Sequence, residues 1–345
     1  MKVIIDVMSG DNAPLELVKG AVLAKNNLGV DIVAVGNEDV IKKIASEESL
    51  DINGIEIVNA DVVINMEDEA MSVVRAKNNS SMAIGLQMLS RGEGDAFVSA
   101  GNTGALLAGA TLIVRRIKGI KRAAIGTVLP FPTPALLIDS GANIEVDEKA
   151  LEQFAVMGSV YMEKIYNLDT ARVGLLNNGT ETTKGTPLYK SANELLTVSE
   201  LISFVGNVEA KELPFGACDV VVCDGFTGNV LLKSIEGMGK FFMKTLKNVF
   251  YENLFTKLTA LLLKGRIGGL KKQFDASEHG GAPLLGIAKP VFKAHGSSDA
   301  RAVMNAVRQA KSFVETGIIN DITEHAASIK EREDALKAKM KELQE

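Results

Sequence analysis

Residues 3–14 read Val3-Ile4-Ile5-Asp6-Val7-Met8-Ser9-Gly10-Asp11-Asn12-Ala13-Pro14. An apolar, β-branched run meets a carboxylate, passes through a small flexible turn, and reaches a proline where a helix can start. Residues 15–27 then repeat apolar side chains at helical spacing. Strand, polar turn and helix form the unit of a parallel sheet, because parallel neighbours need a crossover long enough to cover a sheet face.

The same alternation continues along the chain. Strand patterns fall at 3–7, 32–35, 55–58, 96–99, 123–128, 135–138, 173–176, 202–205 and 220–223, with helical patterns at 15–27, 39–46, 82–90, 104–117, 148–166, 189–197, 229–250 and 300–316. This predicts an α/β fold of three layers around a largely parallel sheet. One stretch breaks the rule: Pro130, Pro132 and Pro134 separate two strand patterns with no room for a helix, which predicts an antiparallel pair. Residues 1–320 read as one α/β catalytic domain, either a single unit or two lobes sharing a sheet. Residues 321–345, highly charged and poor in apolar anchors, read as a solvated C-terminal tail.

Composition narrows the function classes. With 46% hydrophobic and 23% charged residues in 345, the chain is neither disordered nor a disulfide scaffold, and its net charge of -5 disfavours a surface built for nucleic acid. Cys218 and Cys223 lie in one extended run, too far apart to bridge, and read as reduced core thiols of a cytoplasmic protein. The carboxylate of Asp6 interrupts the first apolar run too early for a signal peptide.

Four strand ends carry glycine and small polar side chains: 6–14, 98–105, 176–185 and 223–229. Such turns hold anions with backbone amides. None has the spacing of a dinucleotide or P-loop nucleotide site, so an anion without a nucleotide fits better. Asp6 and Asp11 could pair on a metal or a proton, but capping or solvation suits them better, and no Cys/His spacing suggests zinc. His279 and His295 lie in glycine contexts, and His295 sits beside Ser297 and Ser298. Between Met238 and Lys272 eight basic residues face one acid, while Tyr251, Leu254, Phe255, Leu258, Leu261 and Leu262 make an apolar stripe at helical spacing. This amphipathic basic segment, 238–272, suits an anionic membrane surface or a subunit interface.

Taken together, Asp6–Pro14, Ser99–Gly104, Leu175–Gly179 with Lys184-Gly185, Phe204–Glu209, Asp224–Asn229, Gly280–Gly286 and Lys293–Ser298 resemble, in this order, the motifs of the PlsX family of bacterial phosphate acyltransferases. The resemblance runs to about Thr316. It implies a fold similar to phosphotransacetylases and isopropylmalate dehydrogenases, and transfer of a long-chain acyl group from acyl carrier protein to inorganic phosphate for phospholipid synthesis. It also implies a homodimer that touches the membrane peripherally, with no cofactor. Met8-Ser9-Gly10 stands where the family usually has Met-Gly-Gly, and His279 where relatives carry Tyr, which removes that imidazole from the expected machinery.

Phosphate is already a nucleophile, so the chemistry asks for positioning and charge stabilisation. On this reading Lys184 is the catalytic cation, while Ser99, Gly101, Asn102, Thr103 and Gly104 cradle the phosphate. Asp6, Gly10, Asp11, Asn178, Asn207, Asp224, Thr227, Asn229 and His295 bind substrate or shape the site. Arg75 and Lys77 meet the acidic carrier protein, and Leu254, Leu258, Leu261 and Leu262 meet the membrane. A phosphotransacetylase acting on short acyl-coenzyme A is the main alternative; a dehydrogenase and a non-catalytic membrane scaffold are others.

Overall fold

The opening run forms β1 (Lys2–Asp6), and Pro14 precedes helix α1 (Leu15–Leu28), which ends on Gly29 in the left-handed conformation. The computed structural model describes residues 1–251 and 280–342. The remaining strands are β2 (Asp31–Gly36), β3 (Ile55–Asn59), β4 (Ala96–Ser99), β5 (Ala124–Leu129), β6 (Ala135–Ile138), β7 (Arg172–Asn177), β8 (Ser203–Glu209), β9 (Val220–Val222), β10 (Ala282–Leu285) and β11 (Val291–Lys293). The helices are α2 (Glu38–Glu47), α3 (Ser81–Arg91), α4 (Thr103–Gly109), α5 (Glu148–Tyr166), α6 (Pro187–Thr197), α7 (Gly225–Tyr251), α8 (Ala300–Glu315) and α9 (Ile318–Glu342).

All the strands join one sheet in the order β3-β2-β1-β4-β11-β10-β5-β6-β9-β7-β8. From β3 to β11 every pairing is parallel, as it is from β6 to β8. Between these blocks β11/β10, β10/β5 and β5/β6 pair antiparallel, so the blocks run in opposite directions. The proline-rich link therefore does turn an antiparallel corner. β10 and β11, unforeseen in the sequence, are the splice that joins the halves into one sheet.

Side chains alternate across the strands as the pleat requires. Val3, Ile5 and Val7 pack into the larger core with α1, α5 and α8, while Ile4 enters the second core with α3 and α4. α1 and α8 lie close because Gly20 has no side chain; a Cβ there would stand 2.5 Å from Val303. The C-terminal helix departs from expectation. Ile318, Ile322, Ala326 and Ile329 are buried, Asp321 pairs with Lys164 at 2.7 Å, and Arg332 pairs with the buried Glu152. A narrow stripe at three- and four-residue spacing anchors this segment, so Asp321 does not begin a solvated tail.

Candidate active site

Three loops interlock at one edge of the first block. Asp11 N donates to Gly296 O at 2.8 Å, and Asn12 Nδ2 donates to Ser297 O at 3.0 Å. Gly10 has φ +131°, and a Cβ there would lie 3.0 Å from the Ala100 side chain and 3.2 Å from Gly296 O. The loops after β1, β4 and β11 thus touch at positions where only glycine fits.

Beneath them Asp6, Ser99 and Lys293 occupy one cross-strand row, since Asp6 pairs with Ser99 and Ser99 with Lys293. Asp6 is fully buried, and burial pushes its carboxyl above the ordinary range. It accepts from Ser99 Oγ at 2.8 Å and from Met8 N at 3.2 Å, while Ser99 Oγ accepts from Gly101 N at 3.1 Å. Asp6 and Ser99 therefore shape the loop from inside, their side chains buried and turned to the protein's own donors rather than to the cleft. Gly101 N is used in the same chain. Asn102 caps α4 through Ala105 N and pins the loop to Met66 O and Asp68 O, and Gly104 packs near Ala70. Of the five residues expected to cradle phosphate, Thr103 alone lines the adjoining cleft.

That cleft, about 390 Å³, runs between the loops, β5 and α7. Asp11, Thr103, Lys293, His295 and Gly296 give it polar lining from the loops; Val128, Leu232 and Ile235, which share one apolar cluster, give it an apolar wall, with Lys233 and Glu236 of α7 also in the lining. Ser140, Gly141 and Asn229 bring in the second block, with Asn229 Nδ2 donating to Ser140 O at 3.2 Å. The turn at Ser140 is held by the buried Asp139, which accepts from the backbone of Ile125, Gly141, Ala142 and Asn143. Burial nevertheless raises its carboxyl above the usual range.

Two basic groups in the cleft are perturbed. Burial lowers Lys293 to about 8, with Asp11 opposing and Lys233 adding to the shift. Its Nζ donates to Ala100 O at 3.2 Å and to Ala294 O. His295 is also lowered, chiefly by burial and then by the nearby Lys233 and Lys293 against Glu236. Its Nδ1 accepts from Ser297 N at 3.2 Å, which leaves the proton of the neutral ring on Nε2.

Other expected residues lie elsewhere. Lys184 is exposed on the turn after β7 and does not line the cleft. Its backbone carbonyl accepts from Asn177, and Asn207 steadies the same turn by donating to Glu181 O at 2.8 Å. Asn178 is exposed there too. Asp224 caps the start of α7, accepting from Thr227 N at 2.8 Å, Thr227 Oγ1 at 2.7 Å and Tyr189 Oη at 2.6 Å. Burial alone would raise the pKa of Asp224, but these donors outweigh it and hold its carboxyl below the usual range. Lys77 is engaged with Asp68 and Val63 O, whereas Arg75 is exposed. Leu254, Leu258, Leu261, Leu262 and His279 lie outside the described residues. Among the described residues no group of three or more His, Cys, Asp and Glu could hold a metal, and no helix is long and apolar enough to cross a membrane.

The residue that sequence reading missed is Lys293. It stood inside a quoted motif, but only strand pairing reveals that it shares a row with Asp6 and Ser99.

Residues 1–321 match the family model described as fatty acid synthesis protein. A phosphate acyltransferase of Thermoanaerobacter pseudethanolicus is 46% identical over 95% of this chain and 98% of its own length. That of Caldanaerobacter subterraneus is 45% identical over 94% and 97%. Among solved structures, a phosphotransacetylase from Streptococcus pyogenes superposes with a TM-score of 0.59 at 17% identity, covering 95% of this chain and 94% of that one. A 4-hydroxythreonine-4-phosphate dehydrogenase from Salmonella typhimurium gives 0.55 at 12%, covering 90% and 98%, so the sheet architecture serves more than one chemistry. Near-full-length identity, the family model and the order of the loops agree: the chain belongs to the PlsX family of fatty acid synthesis proteins, whose curated members are phosphate acyltransferases.

Proposed function

We propose that this enzyme transfers a long-chain acyl group from acyl carrier protein to orthophosphate, releasing acyl phosphate. The observation that supports this most is the two-sided cleft. Its polar lining, with Thr103, Lys293 and His295, suits phosphate, and its apolar wall of Val128, Leu232 and Ile235 suits an acyl chain. A short-chain phosphotransacetylase would need no such wall.

The protein's work on this reading is positioning and electrostatics. Holding phosphate in line with the thioester contributes up to about 7–11 kcal/mol. A donor aimed at the developing oxyanion adds about 3–4 kcal/mol, and on this reading the Nε2–H of His295, which lines the cleft, supplies it. Asn229 and Ser140 O fix the opposite wall, and Asp224 with Thr227 and Tyr189 holds the helix that carries it.

The carrier protein is acidic and docks against exposed cations, Arg75 among them. α7 bears Met238, Phe241, Phe242, Val249 and Tyr251 as exposed large apolar residues interleaved with Lys240, Lys244 and Lys247. This supports a cytoplasmic homodimer that rests peripherally on anionic lipid, the helix serving one contact or the other.

Purified protein incubated with long-chain acyl carrier protein and phosphate should form a mixed anhydride that hydroxylamine traps as a hydroxamate. Hydroxamate from acyl-coenzyme A but none from acyl carrier protein would overturn the assignment of donor.

A further inference from the structure

The cleft is lined by a buried cation, Lys293, and neither the family match nor the motif reading assigns it a task. Lys293 is the last residue of β11, paired with Ser99 at the end of β4, and so stands at the root of the loop that carries Thr103. A lysine has three N–H donors. Two are directed to Ala100 O and Ala294 O, which fixes the ammonium and leaves the third for a ligand in the cleft.

We infer that Lys293 is the catalytic proton shuttle of the acyl transfer, its ammonium protonating the departing thiolate and its amine then taking the proton of the bound hydrogen phosphate. This rests on the acyl-transfer reading above. An oxygen of HPO4²⁻ attacks the thioester carbon; the C–O bond forms, the C–S bond breaks, and sulfur leaves with the bonding pair. Sulfur receives a proton from Lys293. The new acyl phosphate holds its remaining proton less tightly than orthophosphate did, because the acyl group withdraws charge, and that proton restores the ammonium. Hydrogen phosphate and thioester become acyl phosphate and thiol with nothing left over.

The groups around Lys293 fit this task. Asp6 and Asp11 favour the ammonium from the β1 side, Lys233 opposes it from α7 near Glu236, and His295 follows two residues on, in the loop after β11. Burial sets the balance near 8, close to the about 8.5 of an ordinary thiol, so proton transfer to sulfur is nearly isoenergetic. A lysine at its usual value would hold the proton too tightly.

The test compares wild type, Lys293→Met and Lys293→Arg on two acyl donors, the acyl carrier protein and an acyl thioester of an aryl thiol whose thiolate leaves unprotonated. Lys293→Met should lower kcat on the carrier substrate by about 10²–10⁴-fold, and by much less on the aryl thioester. Lys293→Arg should keep KM for phosphate near wild type while kcat stays low, since guanidinium does not titrate in this range. Wild-type kcat should fall above about pH 8 and the Arg variant should lack that limb. Equal losses of Lys293→Met on both donors, or no loss, would overturn the shuttle. Failure of wild type to make acyl phosphate at all would instead remove the acyl-transfer reading on which the shuttle rests.

Discussion

The hydroxyl of Ser99 and the carboxylate of Asp6 stand 2.8 Å apart, and the same hydroxyl accepts the amide of Gly101. A buried carboxylate therefore dictates the path of a loop it never leaves the core to reach. Ser99→Ala removes one of several donors to the Asp6 carboxyl and leaves the Gly101 amide without its side-chain partner, which costs about 1–3 kcal/mol. Chemical denaturation should show a loss in that range, with KM for phosphate raised. Unchanged KM would mean that the loop keeps its shape without the bridge.

The interlock of the three loops depends on Gly10. Its left-handed φ and the contacts a Cβ would make with Ala100 and Gly296 O leave Gly10→Ala no relaxed conformation. The strain amounts to about 1–3 kcal/mol and falls on the loops themselves. The variant should fold with a lowered melting temperature and bind phosphate weakly, as read by calorimetry. Gly54→Ala makes a comparison: φ is also positive, but the nearest atoms are the flexible end of Lys25, so stability should fall while phosphate affinity holds.

Lys293 makes a prediction about stability as well as turnover. Its amine binds a proton less readily in the fold than in the unfolded chain, about 8 against 10.5. Between those values the unfolded chain carries the extra proton, so this residue makes stability rise with pH from about 8 to 10.5. Below about 8 the buried ammonium is a cost of about 3 kcal/mol, by the conversion of one pKa unit to 1.36 kcal/mol. Lys293→Met should therefore raise the melting temperature at pH 7 while losing activity, and its melting point should lack the alkaline rise. A variant less stable than wild type at pH 7 would show that the ammonium gains more from its carbonyl partners than it loses to burial.

Much of the layout was legible because it rests on periodicity. The boundaries of β4, β6 and α5 coincide with their patterns, and the antiparallel turn announced itself in three prolines. β10 and β11 were not legible: β10 carries Pro283, β11 follows Pro290 and ends on Lys293, and both owe their place to neighbours remote in sequence. The site suffered from the same blindness. Lys184, a cation in a glycine-rich turn, looks in one dimension like a phosphate ligand, yet the turn leaves it exposed and outside the cleft. Lys293, flanked by Phe292 and Ala294, looks like a strand residue, and only the row it shares with Ser99 and Asp6 gives it chemistry. Ser99 and Asn102 were rightly noticed as polar groups at a strand end, but their hydrogen bonds turn inward. A sequence records donors without their directions.

The apolar wall should decide how long an acyl chain is accepted. Val128 of β5 shares one apolar cluster with Leu232 and Ile235 of α7, and all three line the cleft of about 390 Å³, so a larger side chain at Val128 shortens the space available to the chain. Each methylene buried against such a wall contributes about 0.8 kcal/mol. Val128→Phe should then shift the preference toward shorter acyl groups, by about fourfold in kcat/KM for each methylene that no longer fits. KM for phosphate should hold, because Thr103 and Lys293 belong to other elements, α4 and β11. Competition between carrier proteins loaded with long and medium chains reads the shift directly. If the variant lost activity equally on both, the acyl group would have to lie along some other surface of α7, and the apolar face of this cleft would need another occupant.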